Sequence, residues 1–358
     1  MCVKISSKRG SKSLFMVPLA LAAAVSSVAQ AAEVKIPDTT LTGSLRTSFT
    51  NKDTGAPKDE NDFTLNSLSL YVNSKITENI KFSFSSEYSS ATPTDPKMQV
   101  QDAIAQFEYG PTMNIWAGRF LAPTDRANSY GAYFANNWGF FTDGVQDGYP
   151  STYGGRTDGV AYWGDFADTK LKLSAGLFDS PSTRSGGSGD ADSTMFAARV
   201  QYDFWDAEPG YYVNGTYYGE KDILALAVAT NMVGSDNTSN VDFLFEKKVG
   251  SGGAVTVEGE YIKYDGLVDS PTTDGDGYYV LGSYLFPQVI GMGKIQVLGK
   301  FGTYSNDVTG IDTDTTEANL NYIIKSFNVR TSLFYIKNSP STGSDTTQLG
   351  LGLQLMTL

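Results

Sequence analysis

Val255-Thr256-Val257-Glu258-Gly259-Glu260-Tyr261 places apolar or small residues at the odd positions and polar ones at the even positions. A strand sends successive side chains to opposite faces, so this segment has one greasy and one polar face. The same alternation extends in both directions. Ile295, Val297, Gly299 and Phe301 alternate with Lys294, Gln296 and Lys300; Ala318, Leu320, Tyr322 and Ile324 alternate with Glu317, Asn319 and Asn321. Upstream, Phe196, Ala198, Val200 and Tyr202 interleave with Ala197, Arg199 and Gln201, and Ile80, Phe82 and Phe84 with Lys81, Ser83 and Ser85. Leu349, Leu351, Leu353 and Leu355 close the chain against Gln348, Gly350, Gly352 and Gln354. The chain therefore reads as all-β.

A soluble sandwich would turn the greasy faces inward. Segments of about ten residues with aromatics at their ends favour a membrane barrel instead. Tyr88, Tyr109, Phe120, Phe178, Tyr264, Tyr284, Phe286, Tyr304, Phe327 and Tyr335 are such end residues. In lipid every backbone donor and acceptor must pair internally, so strands span only as a closed barrel.

A first pass finds seventeen strands, whereas bacterial single-chain barrels use even numbers. Longer connections near 51–61, 89–99, 121–157, 179–193, 231–239, 265–277, 305–314 and 338–345 alternate with shorter ones near 77–79, 110–112, 164–169, 249–253, 287–293 and 326–327. The alternation breaks only at Phe204–Lys221. Treating Tyr211–Tyr218 as an extended piece of one long connection restores it. The expectation is a transmembrane antiparallel up-and-down β-barrel of about sixteen strands, with fourteen or eighteen as alternatives.

Residues 1–13 carry Lys4, Lys8, Arg9 and Lys12 and no acid; an apolar run follows from Leu14 to Val25, then Ala29-Gln30-Ala31. This is the order of a secretory signal peptide cut after Ala31, leaving residues 32–358 as the barrel domain. Twelve apolar residues cannot cross a bilayer core that needs about twenty. Cleavage removes four basic residues and takes the formal charge from −12 to −16. It also removes Cys2, the single cysteine, and the chain has no histidine. Ser-His-Asp and Cys-His catalysis, His-ligated haem and disulfides are excluded, and no cofactor is expected. The acidic balance points away from nucleic acid, whose binders are basic.

Residues 121–157 form a connection of nearly forty residues holding Tyr130, Tyr133, Phe134, Trp138, Phe140, Phe141, Tyr149 and Tyr153. Loops longer than about fifteen residues are usually functional or disordered, and this one is too aromatic for disorder. It is expected to fold inward and narrow the lumen; a surface cap or subunit-contact loop is the plainer alternative. Asp125, Arg126, Asp143, Asp147 and Arg156 would be its charges. If apolar positions face lipid, the wall contributes Arg46, Lys81, Arg119, Lys170, Lys172, Arg199, Lys248, Lys294, Lys300 and Arg330. Opposing them are Glu87, Asp102, Glu108, Asp242, Glu246, Glu258, Glu260 and Glu317. Selective ion pores use charge rings of one sign, so a balanced set predicts weak selectivity and a transverse field. Asp274 and Asp276 lie in an acidic loop that could coordinate Ca²⁺ but lacks EF-hand spacing. Such loops could also meet lipopolysaccharide through bridging divalent cations.

Trp116-Ala117-Gly118-Arg119-Phe120 before the long loop, and Gly155-Arg156-Thr157-Asp158-Gly159-Val160-Ala161-Tyr162-Trp163-Gly164-Asp165 after it, are more specific. With Lys170–Phe178 they resemble a Gram-negative general-diffusion porin, and more particularly the phosphate-selective porin O and P family. That resemblance implies a sixteen-stranded homotrimer in the outer membrane with an inward-folded third loop. Phosphate selectivity does not transfer with it, since that property needs basic clusters where this loop mixes acids and bases. Such barrels usually end in phenylalanine, whereas this chain ends Met356-Thr357-Leu358. The expected activity is passive diffusion of small hydrophilic solutes and ions, with anions such as phosphate among the candidates, and no enzymatic role. The alternatives are an adhesin or receptor barrel with acidic loops and no open pore, and a hydrolase built on Asp and Glu alone.

Overall fold

The computed structural model describes residues 38–55, 59–89, 97–146, 148–149, 151, 155–180, 193–266 and 274–357. The proposed cleavage site at Ala29 and Ala31 lies outside them. Sixteen strands run β1 (Asp38–Asp53), β2 (Glu60–Lys75), β3 (Ile80–Ser89), β4 (Lys97–Glu108), β5 (Asn114–Leu121), β6 (Arg156–Phe166), β7 (Leu171–Asp179) and β8 (Thr194–Asp203). They continue as β9 (Ile223–Val233), β10 (Asp236–Val249), β11 (Gly253–Asp265), β12 (Gly275–Ile290), β13 (Gly293–Asn306), β14 (Ile311–Lys325), β15 (Val329–Pro340) and β16 (Thr346–Met356). Each strand pairs with its sequence neighbour, and β1 closes the barrel onto β16, with Ser44 opposite Met356 and Phe49 opposite Leu351.

The barrel is greasy outside and polar within. In β11, Thr256, Glu258 and Glu260 are buried while Tyr261 is exposed. In β16, Leu351 is 57% exposed and its neighbours Gly350 and Gly352 are buried. A soluble protein would reverse this parity; a hydrocarbon surround requires it. Among the described residues no helix is long and apolar enough to cross a membrane, which says nothing of strands.

Several connections differ from expectation. Residues 231–239 are not a long loop: Val233 pairs with Asp236 across a two-residue turn. The polar run misleads because Asn231, Thr238 and Asn240 are wall residues buried on the inner face. Likewise, 305–314 contracts to Asp307–Gly310. Four aromatics read as a membrane girdle, Phe120, Phe178, Tyr264 and Phe327, are buried instead. Phe120 packs edge-on against Phe178, and Phe327 against Phe134.

The connection after β5 folds into the barrel. It opens with α1 (Arg126–Phe134), capped by the Asp125 carboxylate, which accepts from the Asn128 amide at 3.2 Å. Such a cap satisfies an amide that has no partner within the helix. Gly131, at φ 65°, interrupts the helix. Beyond it, Trp138 stacks on Phe334 of β15. A Cβ at Gly352 would lie 2.4 Å from the Trp138 ring, and one at Gly350 would lie 2.3 Å from Phe334. Gly352 thus makes room for Trp138 of the inserted loop, and Gly350 for the Phe334 ring on which Trp138 stacks.

Candidate functional site

The inserted loop is fastened mainly to the β9–β16 half of the wall. Tyr130 OH and Tyr279 OH both donate to Glu258 at 2.6 Å. Glu317 accepts from the backbone amides of Trp138 and Gly139 at 3.0 and 2.8 Å, and from Asn137 Nδ2 at 2.9 Å. Lys300 Nζ lies 2.7 Å from Asp143 Oδ2 and donates to Gln146 Oε1 at 2.7 Å. Arg330 donates to the Ala135 and Asn136 carbonyls at 2.7 and 3.2 Å. Arg199 meets Asp242 through two contacts of 2.5 and 2.9 Å and donates to the Thr124 carbonyl at 2.9 Å. Buried charges persist where they are paired and hydrogen-bonded, and this contact is assembled on that rule.

A second insertion enters from the opposite end. Residues 204–222, between β8 and β9, contain no strand, in agreement with treating Tyr211–Tyr218 as an extended piece. This segment docks on the first insertion. Arg126, fully buried, forms a two-pronged pair with Glu208, with Nη1 to Oε1 at 3.0 Å, and also donates to the Asn214 carbonyl at 2.7 Å. The Gly215 amide donates to the Phe134 carbonyl at 3.1 Å. Tyr211 seats among Trp116, Phe120 and Trp163 and donates to the Leu121 carbonyl at 2.8 Å. The two insertions meet inside the barrel as a pair of jaws.

The other side holds a cavity of about 780 Å³, bounded by the inner faces of β1–β4 and by α1. It extends from Glu87 and Gln99, near the long-loop ends of β3 and β4, to Gln106 and Met356 near the short-turn end. Ser67 donates to Glu87 at 2.5 Å and lies 2.7 Å from Tyr133 OH. Asp102 accepts from Ser85 and, at 3.3 Å, from Arg156 Nε. Arg46 donates to the Trp138 carbonyl at 3.0 Å, and its guanidinium sits 4.3 Å above that residue's ring.

The Gram-negative porin family matches residues 19–354. The chain belongs to that family. Its barrel is similar to the outer-membrane channel DcaP of Acinetobacter baumannii, at 12% identity and a TM-score of 0.59, covering 89% of this chain and 97% of that one. It is also similar to an anion-selective porin from Comamonas acidovorans, at 14% identity and 0.55, covering 89% and 99%. OmpT of Vibrio cholerae, in-vitro folded, gives 14% and 0.53, covering 91% and 100%. At such identities these likenesses establish the fold alone. No curated protein matches the sequence. The family found is the broad porin family, and the narrower likeness to phosphate-selective porins O and P rests only on the motifs that suggested it.

Within this porin the expected constriction residues separate into groups. Asp125, Arg126, Asp143, Arg199, Lys300 and Arg330 are all buried, in contacts among the loop, the wall and the second insertion and not across an aqueous gap. Lys172 is buried opposite Asp165 in the sheet. Arg156 lines the cavity. Lys81, bound to Glu108 at 2.5 Å, and Lys294, which donates to the Gly252 carbonyl at 2.7 Å, sit near the short turns. Lys170 lies in such a turn, so it is not a wall residue. Arg119 contradicts expectation outright: Trp116 and Phe120 take the inner face of β5, so Arg119 points outward and pairs with Asp158 at 2.7 and 3.1 Å. Asp147 lies outside the described residues. Asp274 accepts from the Gly266 amide at 2.9 Å and Asp276 pairs opposite Lys263; no group of three or more potential metal ligands gathers among the described residues. Sequence reading missed Glu208 and Asn214, because nothing in the pattern of residues 204–222 says that the segment turns inward.

Proposed function

We propose that this outer-membrane porin is a passive, weakly ion-selective channel for small hydrophilic solutes, narrowed by loop 121–157. The observation that carries this reading is the cavity beside the jaws, with a greasy exterior and a polar passage in one closed barrel. Among the described residues its charges are Arg46 and Arg156 against Glu87 and Asp102, and a balanced lining gives neither ion an advantage. The basic residues that a phosphate filter would need, Arg126, Arg199 and Lys300, are committed to Glu208, Asp242 and Asp143. The proposal assigns this barrel no enzymatic role. The proposal includes a signal peptide cut after Ala31, a barrel domain from residue 32 onward, and a homotrimer among lipid and lipopolysaccharide. A trimer form is described for the V. cholerae OmpT neighbour.

Purified protein added to a planar bilayer is expected to give stepwise conductance increments. A salt gradient should give a reversal potential corresponding to less than about tenfold preference for either ion. Silence from folded trimers would refute the channel in favour of an adhesin or receptor barrel.

A further inference from the structure

We infer that the cavity along β1–β4 selects uncharged, hydroxyl-rich solutes of sugar size over ions of the same size. This rests on the channel reading above and adds the class of solute. Three observations carry it.

The first is the state of the charges. Each of the four charged residues at the cavity already has a partner: Glu87 has Ser67, Asp102 has Ser85 and Arg156, and Arg46 has the Trp138 carbonyl and ring. With Arg46 and Arg156 balanced by Glu87 and Asp102, a charged solute leaving water would gain no net counter-charge here, and burying an unpaired charge is costly. The second is the remaining polar lining. Ser83, Gln99, Gln101 and Gln106 present hydroxyl and carboxamide groups along the strand wall. These groups both donate and accept, as a sugar hydroxyl does. The third is the facing wall, where Tyr133, Phe134 and Phe141 border the same space, and Phe141 is 70% exposed. A pyranose ring has this two-sided character, with C–H groups on its faces and hydroxyls at its rim. Phosphate and simple ions have no apolar face to offer. The volume falls within the range of about 300–1,000 Å³ typical of sites that enclose small molecules.

The test is osmotic swelling of liposomes carrying the full-length protein, after bilayer conductance has shown that channels are present. Silence at that first step defeats the channel reading itself; conductance followed by the wrong solute order defeats only the present inference. Glucose and gluconate are close in size and differ in charge, and betaine supplies a zwitterion. Glucose is expected to enter about tenfold faster than gluconate and faster than betaine, and to reduce the ionic current saturably. Phe141→Ala should lose most of the glucose block, read as a fraction of that variant's own unblocked current. Equal rates for glucose and gluconate would mean sieving by size alone, and faster gluconate an anion path. Faster betaine would mean a zwitterion site, and a glucose block untouched by F141A would remove the aromatic wall. Each of these four results overturns the inference.

Discussion

The two halves of the lumen are built from similar residue types and end in opposite states. Along β9–β16, polar and charged side chains meet the inserted loop and vanish into it: Lys300 with Asp143, Glu317 with the Trp138 and Gly139 amides, Arg330 with the Ala135 and Asn136 carbonyls. Along β1–β4, serines, glutamines and a few partnered charges face open space. What separates the halves is the presence of a second chain segment against the wall. Polar strand faces are compatible with water or with a polar, aromatic loop; the insertions decide which half receives which. The dry half fixes the jaws in place, and the open half is the space that the proposed channel would use.

The largest disturbance should come from separating the jaws. Arg126 is fully buried and its two-pronged partner is Glu208. Glu208→Ala leaves the guanidinium without that partner, a change that typically costs about 3–5 kcal/mol. The segment 204–222 should detach, and single-channel conductance should rise severalfold with added noise. The double replacement Arg126→Met/Glu208→Leu should restore a quiet, small conductance, since apolar residues of similar volume often replace a buried pair without loss. An unchanged trace from Glu208→Ala would show that the dry half does not depend on this contact.

A smaller effect should follow pH. Burial, and next the nearby Asp242 carboxylate, push the Asp125 carboxyl up from the usual carboxylate range to about 7. The Asn128 amide, the Arg199 charge and a hydrogen bond with Glu260 partly offset that rise. With a raised folded-state pKa, the folded protein holds a proton that the unfolded chain has released. Stability from this group is therefore fullest near about pH 4, declines as the pH rises to about 7, and changes little above that. Asp125 also caps α1, so current fluctuations from the loop should grow over that window. Asp125→Asn should flatten the profile; a wild-type profile already flat would place a fixed charge at this site.

Much of this was legible in the sequence because hydrocarbon imposes a strict parity. Thr256, Glu258 and Glu260 could face only inward once Val255, Val257 and Tyr261 faced lipid, and the balance of wall charges followed. The length and aromatic content of 121–157 pointed to an inserted loop. Pairing partners were not legible, because a buried ion pair joins residues such as Arg126 and Glu208 that only the folded chain brings together. The wet or dry state of each half depends on those partners. A charged side chain on a wall looks the same in sequence whether it faces a solute or another part of the chain. Polar wall residues such as Asn231 and Asn240 also imitate loop composition, so the 231–239 hairpin read as a long connection.

Arg119 shows where parity itself was misread, and it sets the smallest expected effect. Trp116 and Phe120 are aromatic and would ordinarily face lipid, which would turn Arg119 into the lumen. In the barrel both aromatics face inward because Tyr211 of the second insertion gives them an apolar partner. Arg119 then lies outside, paired with Asp158 on the neighbouring strand. Arg119→Leu should leave conductance and reversal potential unchanged, because the charge never meets the permeating ion. The cost to the barrel should be modest, about 0–1 kcal/mol as for a partly exposed surface pair, seen as a small drop in the temperature at which folded electrophoretic mobility is lost. A shift in reversal potential would place Arg119 in the passage, and with it the parity of β5 and the seat assigned to Tyr211 would both have to be reversed.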